Sequence, residues 1–80
     1  MRKNPLHVSV QMPNDVLYEV SYYCSDSKLS SNEKKTKTQL YIQHDDCVCI
    51  LLIDKSISDN EEALENIVHN KVINTKGHLC

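Results

Sequence analysis

Hydrophobic and polar positions alternate through the first half of the chain, and then the alternation stops. In LHVSVQ, residues 6–11, Leu6, Val8 and Val10 face one way and His7, Ser9 and Gln11 the other, the period of two expected of a half-buried strand. VLYEVSYYC, residues 16–24, repeats the pattern, with Val16, Tyr18, Val20, Tyr22 and Cys24 against Leu17, Glu19, Ser21 and Tyr23. Between them MPND carries Pro13, preset for a turn, and Asn14-Asp15, able to close it. A one-residue slip would invert one strand, so the apolar faces must match. Only an odd loop sets Val10 opposite Val16, Val8 opposite Tyr18 and Leu6 opposite Val20, and a loop of three or five residues is expected.

Residues 25–36, SDSKLSSNEKKT, are polar and rich in Ser and Lys, and are expected to form the most mobile segment of one 80-residue domain. A third strand follows in KTQLYIQ, residues 37–43, with Thr38, Leu40 and Ile42 against Gln39, Tyr41 and Gln43. His44-Asp45-Asp46 turns the chain into a fourth, CVCILLI, residues 47–53, which is apolar at every position. The last element is a helix. Ser58-Asp59-Asn60-Glu61 reads as a capping box, with negative charge in the first turn where the helix dipole favours it. Leu64, Ile67, Val68 and Val72 then follow a period of 3.6, and Asn70, Asn74 or Gly77, the only glycine, can end the helix. Four strands in two hairpins followed by a helix imply an α+β domain, a small antiparallel sheet with the helix on one face. The order of the hairpins, plain meander or swapped, stays open.

The fourth strand raises the functional question, because one helix covers only one face of a sheet. Two turns compete. A two-residue Asp45-Asp46 turn needs positive φ and favours Asn-Gly or Asp-Gly, which makes Asp-Asp a poor choice, and a three-residue turn is expected instead. It would set Val48, Ile50 and Leu52 on the helix side beside Leu40 and Ile42. Cys47, Cys49, Leu51 and Ile53 would then share the far face with Tyr41, Leu17 and Tyr23. An apolar patch of several hundred Å² in water marks an interaction surface. Either the N- or C-terminal tail folds over it, HLC at residues 78–80 offering Leu79, or another protein or a second copy of the chain covers it. The expected contact residues are Tyr23, Tyr41, Cys49, Leu51 and Ile53, with Lys34 and Lys35 at the rim.

Composition narrows the classes. The chain is 40% hydrophobic and 25% charged, as folded proteins are, yet its only aromatic residues are four Tyr, so the core must rest on Val, Ile and Leu. A chain this short buries only about 60–65% of its unfolded surface and usually needs a disulfide, a metal or a partner. The abundance of Lys, Asn, Ser, Asp and Ile fits an AT-rich genome such as that of a phage, a virus or a low-GC bacterium. A net charge of −2 supplies no field to recruit nucleic acid or an anionic membrane. MRKNPLHVSV lacks the apolar run of a secretory signal, and the longest apolar run is seven residues against the roughly 20 of a bilayer span, so a cytoplasmic protein is expected, with its four cysteines as thiols.

Candidate chemistry is sparse. His44, Cys47 and Cys49, with His78 and Cys80, are zinc-ligand types, but Cys-x-Cys in a strand holds its thiols roughly 7 Å apart on one face, and no second pair has zinc-site spacing. Neither a metal nor any other cofactor is expected. His44-Asp45-Asp46 has no converging third carboxylate, and one glycine cannot build a phosphate loop. Lys34-Lys35-Thr36-Lys37 with Lys28 is the one basic cluster; near Tyr23 and Tyr41 it would touch a nucleic-acid backbone weakly, against Asp26, Glu33 and the overall acidity. The sequence therefore points to a non-catalytic protein-binding domain, an adaptor, inhibitor or regulatory protein. A Cys/His metal or redox module and a weak nucleic-acid binder are the alternatives.

Overall fold

The structure, a computed structural model, describes residues 5–79. Strands β1 (Leu6–Gln11), β2 (Leu17–Ser25), β3 (Lys37–His44) and β4 (Cys47–Asp54) form one antiparallel sheet in the order β1-β2-β3-β4, a plain meander. Helix α1 (Glu61–Asn74) packs on one face, so the architecture is the small α+β fold that the pattern implied. Short 3₁₀ turns occupy Glu33–Lys35 and Lys55–Asp59.

The first hairpin closes through a five-residue loop, one of the two expected lengths. Val10 faces Tyr18, Val8 faces Val20 and Leu6 faces Tyr22. Parity is therefore as read, and the partners lie two residues further along than the three-residue loop would set them. Met12 N–H donates to the Val16 carbonyl at 2.9 Å, Asp15 N–H returns to Met12 at 3.0 Å, and Asp15 takes a φ of 65°. Met12 is buried as the loop folds back, which lengthens the hairpin at the cost of exposing Val16.

The second hairpin corrects the expected register. His44 faces Cys47 and Lys37 faces Asp54, so the turn is the two-residue Asp45-Asp46. Asp45 supplies the positive φ, 52°, without a glycine; the short polar side chains of Asp and Asn tolerate this region better than other L residues. Two gains accompany this register. Four side chains of β4 meet the core instead of three, with Leu51 opposite Leu40, Cys49 opposite Ile42 and Ile53 opposite Thr38. At the far end Lys37 Nζ reaches the Asp54 carboxylate, and Lys55 N–H donates to the Thr36 carbonyl at 2.8 Å.

The core is a single layer between sheet and helix. Val10, Val20, Tyr22, Leu40 and Ile42 come from the strands and Leu64, Val68 and Val72 from α1, all nearly inaccessible to water. The helical stripe thus falls where its period of 3.6 put it. The cap does not. Asn60, in an extended conformation, accepts from Ala63 N–H at 3.1 Å through Oδ1, while Ser58 lies in the preceding 3₁₀ turn and spends its hydroxyl on the Lys55 carbonyl. The reciprocal Ser-x-x-Glu pairing forms elsewhere, at Ser30 and Glu33, where Glu33 N–H donates to Ser30 Oγ at 3.3 Å and Ser30 N–H donates to Glu33 Oε1 at 3.4 Å.

Helix α1 ends in a Schellman arrangement: Lys76 N–H donates to Ile73 and Gly77 N–H to Val72, with Lys76 at φ 57° and Gly77 at φ 83°. Gly77 is required twice over, by its φ and because a Cβ there would collide with the hydroxyl-bearing edge of the Tyr18 ring. Gly77→Ala should lower stability by about 1–3 kcal/mol in urea titration, from left-handed strain plus displacement of the Tyr18 ring. Thr38 is the opposite case. Its Oγ1 is buried and has no hydrogen-bond partner. Thr38→Val should raise stability by about 1 kcal/mol in the same titration, since it removes a desolvated hydroxyl at nearly constant shape.

Candidate interaction face

The two-residue turn decides what the sheet shows to water. On β4 it sends Cys47, Cys49, Leu51 and Ile53 toward α1 and turns Val48, Ile50 and Leu52 outward, exposed by 44%, 48% and 55%. Cys49, Leu51 and Ile53, expected on the open face, are therefore corrected to the core side. The strand's apolar character on both sides made either orientation compatible with a buried face, and the turn backbone broke the tie.

Tyr23 and Tyr41 do stand on the open face. They are cross-strand partners, and their rings stack at 4.9 Å between centroids and 2° between planes. Tyr41 keeps only 8% of its surface exposed; Tyr23 lies across it from β2 and Ile50 stands opposite on β4. Its hydroxyl donates to Gln39 Oε1 at 3.0 Å. The face thus has a rigid aromatic centre in two adjacent strands, an aliphatic row of three residues on the edge strand, and Gln39 and Gln43 between them. Charge is nearly absent from this half: Asp54 is neutralised by Lys37, and Glu19 lies over toward β1. Lys34 and Lys35 sit in the 3₁₀ turn that leads into β3, at the Lys37–Asp54 end of the sheet. Lys55 Nζ donates to the Lys34 carbonyl at 3.0 Å and holds that turn against the segment after β4.

Leu79 does not cover this face. It is buried in the core cluster on the helix side, which removes the expectation that it folds over the far side. Cys80 and residues 1–4 of the N-terminal tail, the rest of the expected cover, lie outside the described residues. Cys47 is disulfide-bonded, whereas Cys24 and Cys49 are not, so the expectation of four thiols is corrected as well.

The remaining polar groups hold structure together. His44 Nδ1 lies 3.0 Å from the Glu19 carbonyl, its ring packs on Tyr18 at 5.0 Å, and the Asp45 carboxylate is 3.5 Å from Nε2, so His44 fastens the end of β3 to β2. No three His, Cys, Asp or Glu gather as a metal site among the described residues. His7, Ser9 and Glu19 border a shallow depression of about 200 Å³, but no hydrogen bond joins them, and a nucleophile needs its base within that reach. A groove of about 270 Å³ runs between the first hairpin loop and the end of α1, lined by Met12, Pro13, Tyr18 and Ile73, with Lys76 and Asn14 as its polar groups.

No protein-family model matches the chain, and neither a curated protein nor a solved structure matches it.

The two sides of β4 give a direct test of the register. Leu51→Asp should cost about 2–5 kcal/mol, because it places a carboxylate among Leu40 and its core neighbours. Ile50→Asp, on the exposed side, should change stability by less than about 1 kcal/mol. Urea midpoints of the two variants measure the difference, and a reversed order would restore the three-residue turn.

Proposed function

We propose that this chain is a non-catalytic protein-binding domain, an adaptor, inhibitor or regulatory protein, whose contact surface is the sheet face opposite α1. One observation carries the reading: Val48, Ile50 and Leu52, three of the largest exposed apolar side chains, form one unbroken row beside the stacked Tyr23–Tyr41 pair. Scattered exposed apolar residues are ordinary; a contiguous row on a rigid strand is not. Tyr suits the centre of such a surface because it offers area at small entropic cost, and Tyr23 and Tyr41 are already held in place by each other. The near-neutral patch favours an apolar protein surface over a nucleic acid, which would demand clustered cations along the contact. Lys34 and Lys35 would serve at the rim. The disulfide at Cys47 fits an oxidising compartment better than the reducing cytosol expected from the sequence. No helix is long and apolar enough to cross a membrane among the described residues.

The chain combining Ile50→Asp with Leu52→Asp should lose the proteins that the immobilised parent chain retains from host extract, with an unchanged far-ultraviolet circular dichroism spectrum. Retention of the same proteins by both chains would sink the reading, as would loss of the spectrum, which would make these residues part of the core.

A further inference from the structure

Beyond its face, β4 has an edge. It is the last strand of the sheet, and along its outer side every second residue turns a backbone N–H and C=O away from β3. Natural edge strands are blunted by proline, lysine, a bulge or a covering element. The opposite edge, β1, has such features: Pro5 stands just before it, its open face carries His7, Ser9 and Gln11, and α1 comes close to it. Strand β4 has none of the residue-based devices between Cys47 and Ile53, and it pairs with β3 without interruption over its whole length.

We propose that β4 pairs antiparallel with β4 of a second copy, joining two four-stranded sheets into one of eight. The inference rests on the interaction-face reading above and names its partner. The argument for a second copy is self-complementarity. A two-fold pairing must bring the same patch against itself. It must also keep core faces on one side and open faces on the other, so that the two-fold axis passes through a residue. An axis at Ile50 meets both demands. It sets Ile50 against its own counterpart and Val48 against Leu52 on the open side, and Cys49 against Leu51 on the core side. Every pair in the seam is then apolar against apolar, the cross-strand combination that stabilises sheets. Asp46 meets Asp54 only at the two ends, where Lys37 already lies on Asp54. The two aliphatic rows merge into one band flanked on each side by a Tyr23–Tyr41 stack. A seam of one strand per copy lies at the low end of interface sizes, below roughly 1,200 Å² in total, so the dimer should dissociate in the micromolar range.

The test is sedimentation velocity across the micromolar range in parallel with amide hydrogen exchange. The parent chain should shift from monomer to dimer with concentration, and amides of β4 should gain protection over the same range. Ile50→Lys should abolish the dimer. Leu17→Lys, on the open face of β2 and away from the seam, should leave it intact. A parent chain monomeric at every concentration overturns the pairing while leaving the open face to a different protein. A dimer lost in Leu17→Lys, or formed without protection of β4 amides, overturns it in favour of stacking between faces. If Ile50→Lys and a second variant, Leu52→Lys, both unfold, the exposed row was core, and the pairing and the reading beneath it fall together.

Discussion

The backbone of Asp45, held at a φ of 52°, sets the parity of every residue in β4. Side chains alternate across a strand, so one residue more or less in the turn would exchange the buried and exposed sets wholesale. With the turn at two residues, Leu51 packs on Leu40, Cys49 on Ile42 and Ile53 on Thr38, and Lys37 comes level with Asp54. The core, the ion pair at the end of the sheet and the composition of the open face all inherit that choice. His44 reinforces it from the other side of the turn: its hold on the Glu19 carbonyl and its packing against Tyr18 fix where β3 ends.

From there the structure reads as a chain of close approaches around Tyr18. The ring lies under His44 at one point and against the backbone of Gly77 at another, so the single glycine, the end of α1 and the second hairpin all register on one side chain. Tyr22, four residues on and on the same face of β2, is the largest fully buried side chain of a core that has no Phe or Trp. Tyrosine does the space-filling that larger apolar rings do elsewhere, and its hydroxyl needs a partner when buried. The buried Thr38 hydroxyl stands out against that background as a polar group without one.

What the residues disclosed follows from how local each signal is. β1 was legible to the residue and the parity of the first hairpin was too, because alternating Val and polar residues leave only one face to bury. The stripe Leu64–Val68–Val72 was legible for the same reason. The β4 register was not. CVCILLI offers an acceptable core face in either parity, and the deciding term, the tolerance of Asp45 for positive φ, is a modest preference that tertiary contacts settle. The Ser-x-x-Glu pattern occurs twice, at Ser30–Glu33 and Ser58–Glu61; the first forms the reciprocal pair, while at the second Asn60 is the residue that caps the helix. Of the candidate site, the tyrosines were correctly placed and the aliphatic partners were one residue out, which is why the exposed row was found only in three dimensions.

Strand propensity alone offers a competing account of that exposed row. Val and Ile are among the best strand formers, and a marginal 80-residue chain gains from placing them in an edge strand even where they stay wet. That account covers Val48 and Ile50. It does not cover Leu52, the most exposed of the three, whose unbranched Cβ brings no comparable backbone preference, since Thr at that position would favour the strand and dissolve better. Nor does it cover the neighbourhood. The flanking Tyr23–Tyr41 stack, the neutralised Asp54 and a β4 edge without Lys or Pro each reduce what ordinarily keeps sheets apart. Propensity explains why the strand forms; it leaves unexplained why β4 carries neither Lys nor Pro between Cys47 and Ile53 beside the stacked tyrosines, whereas the proposed covered surface would account for both.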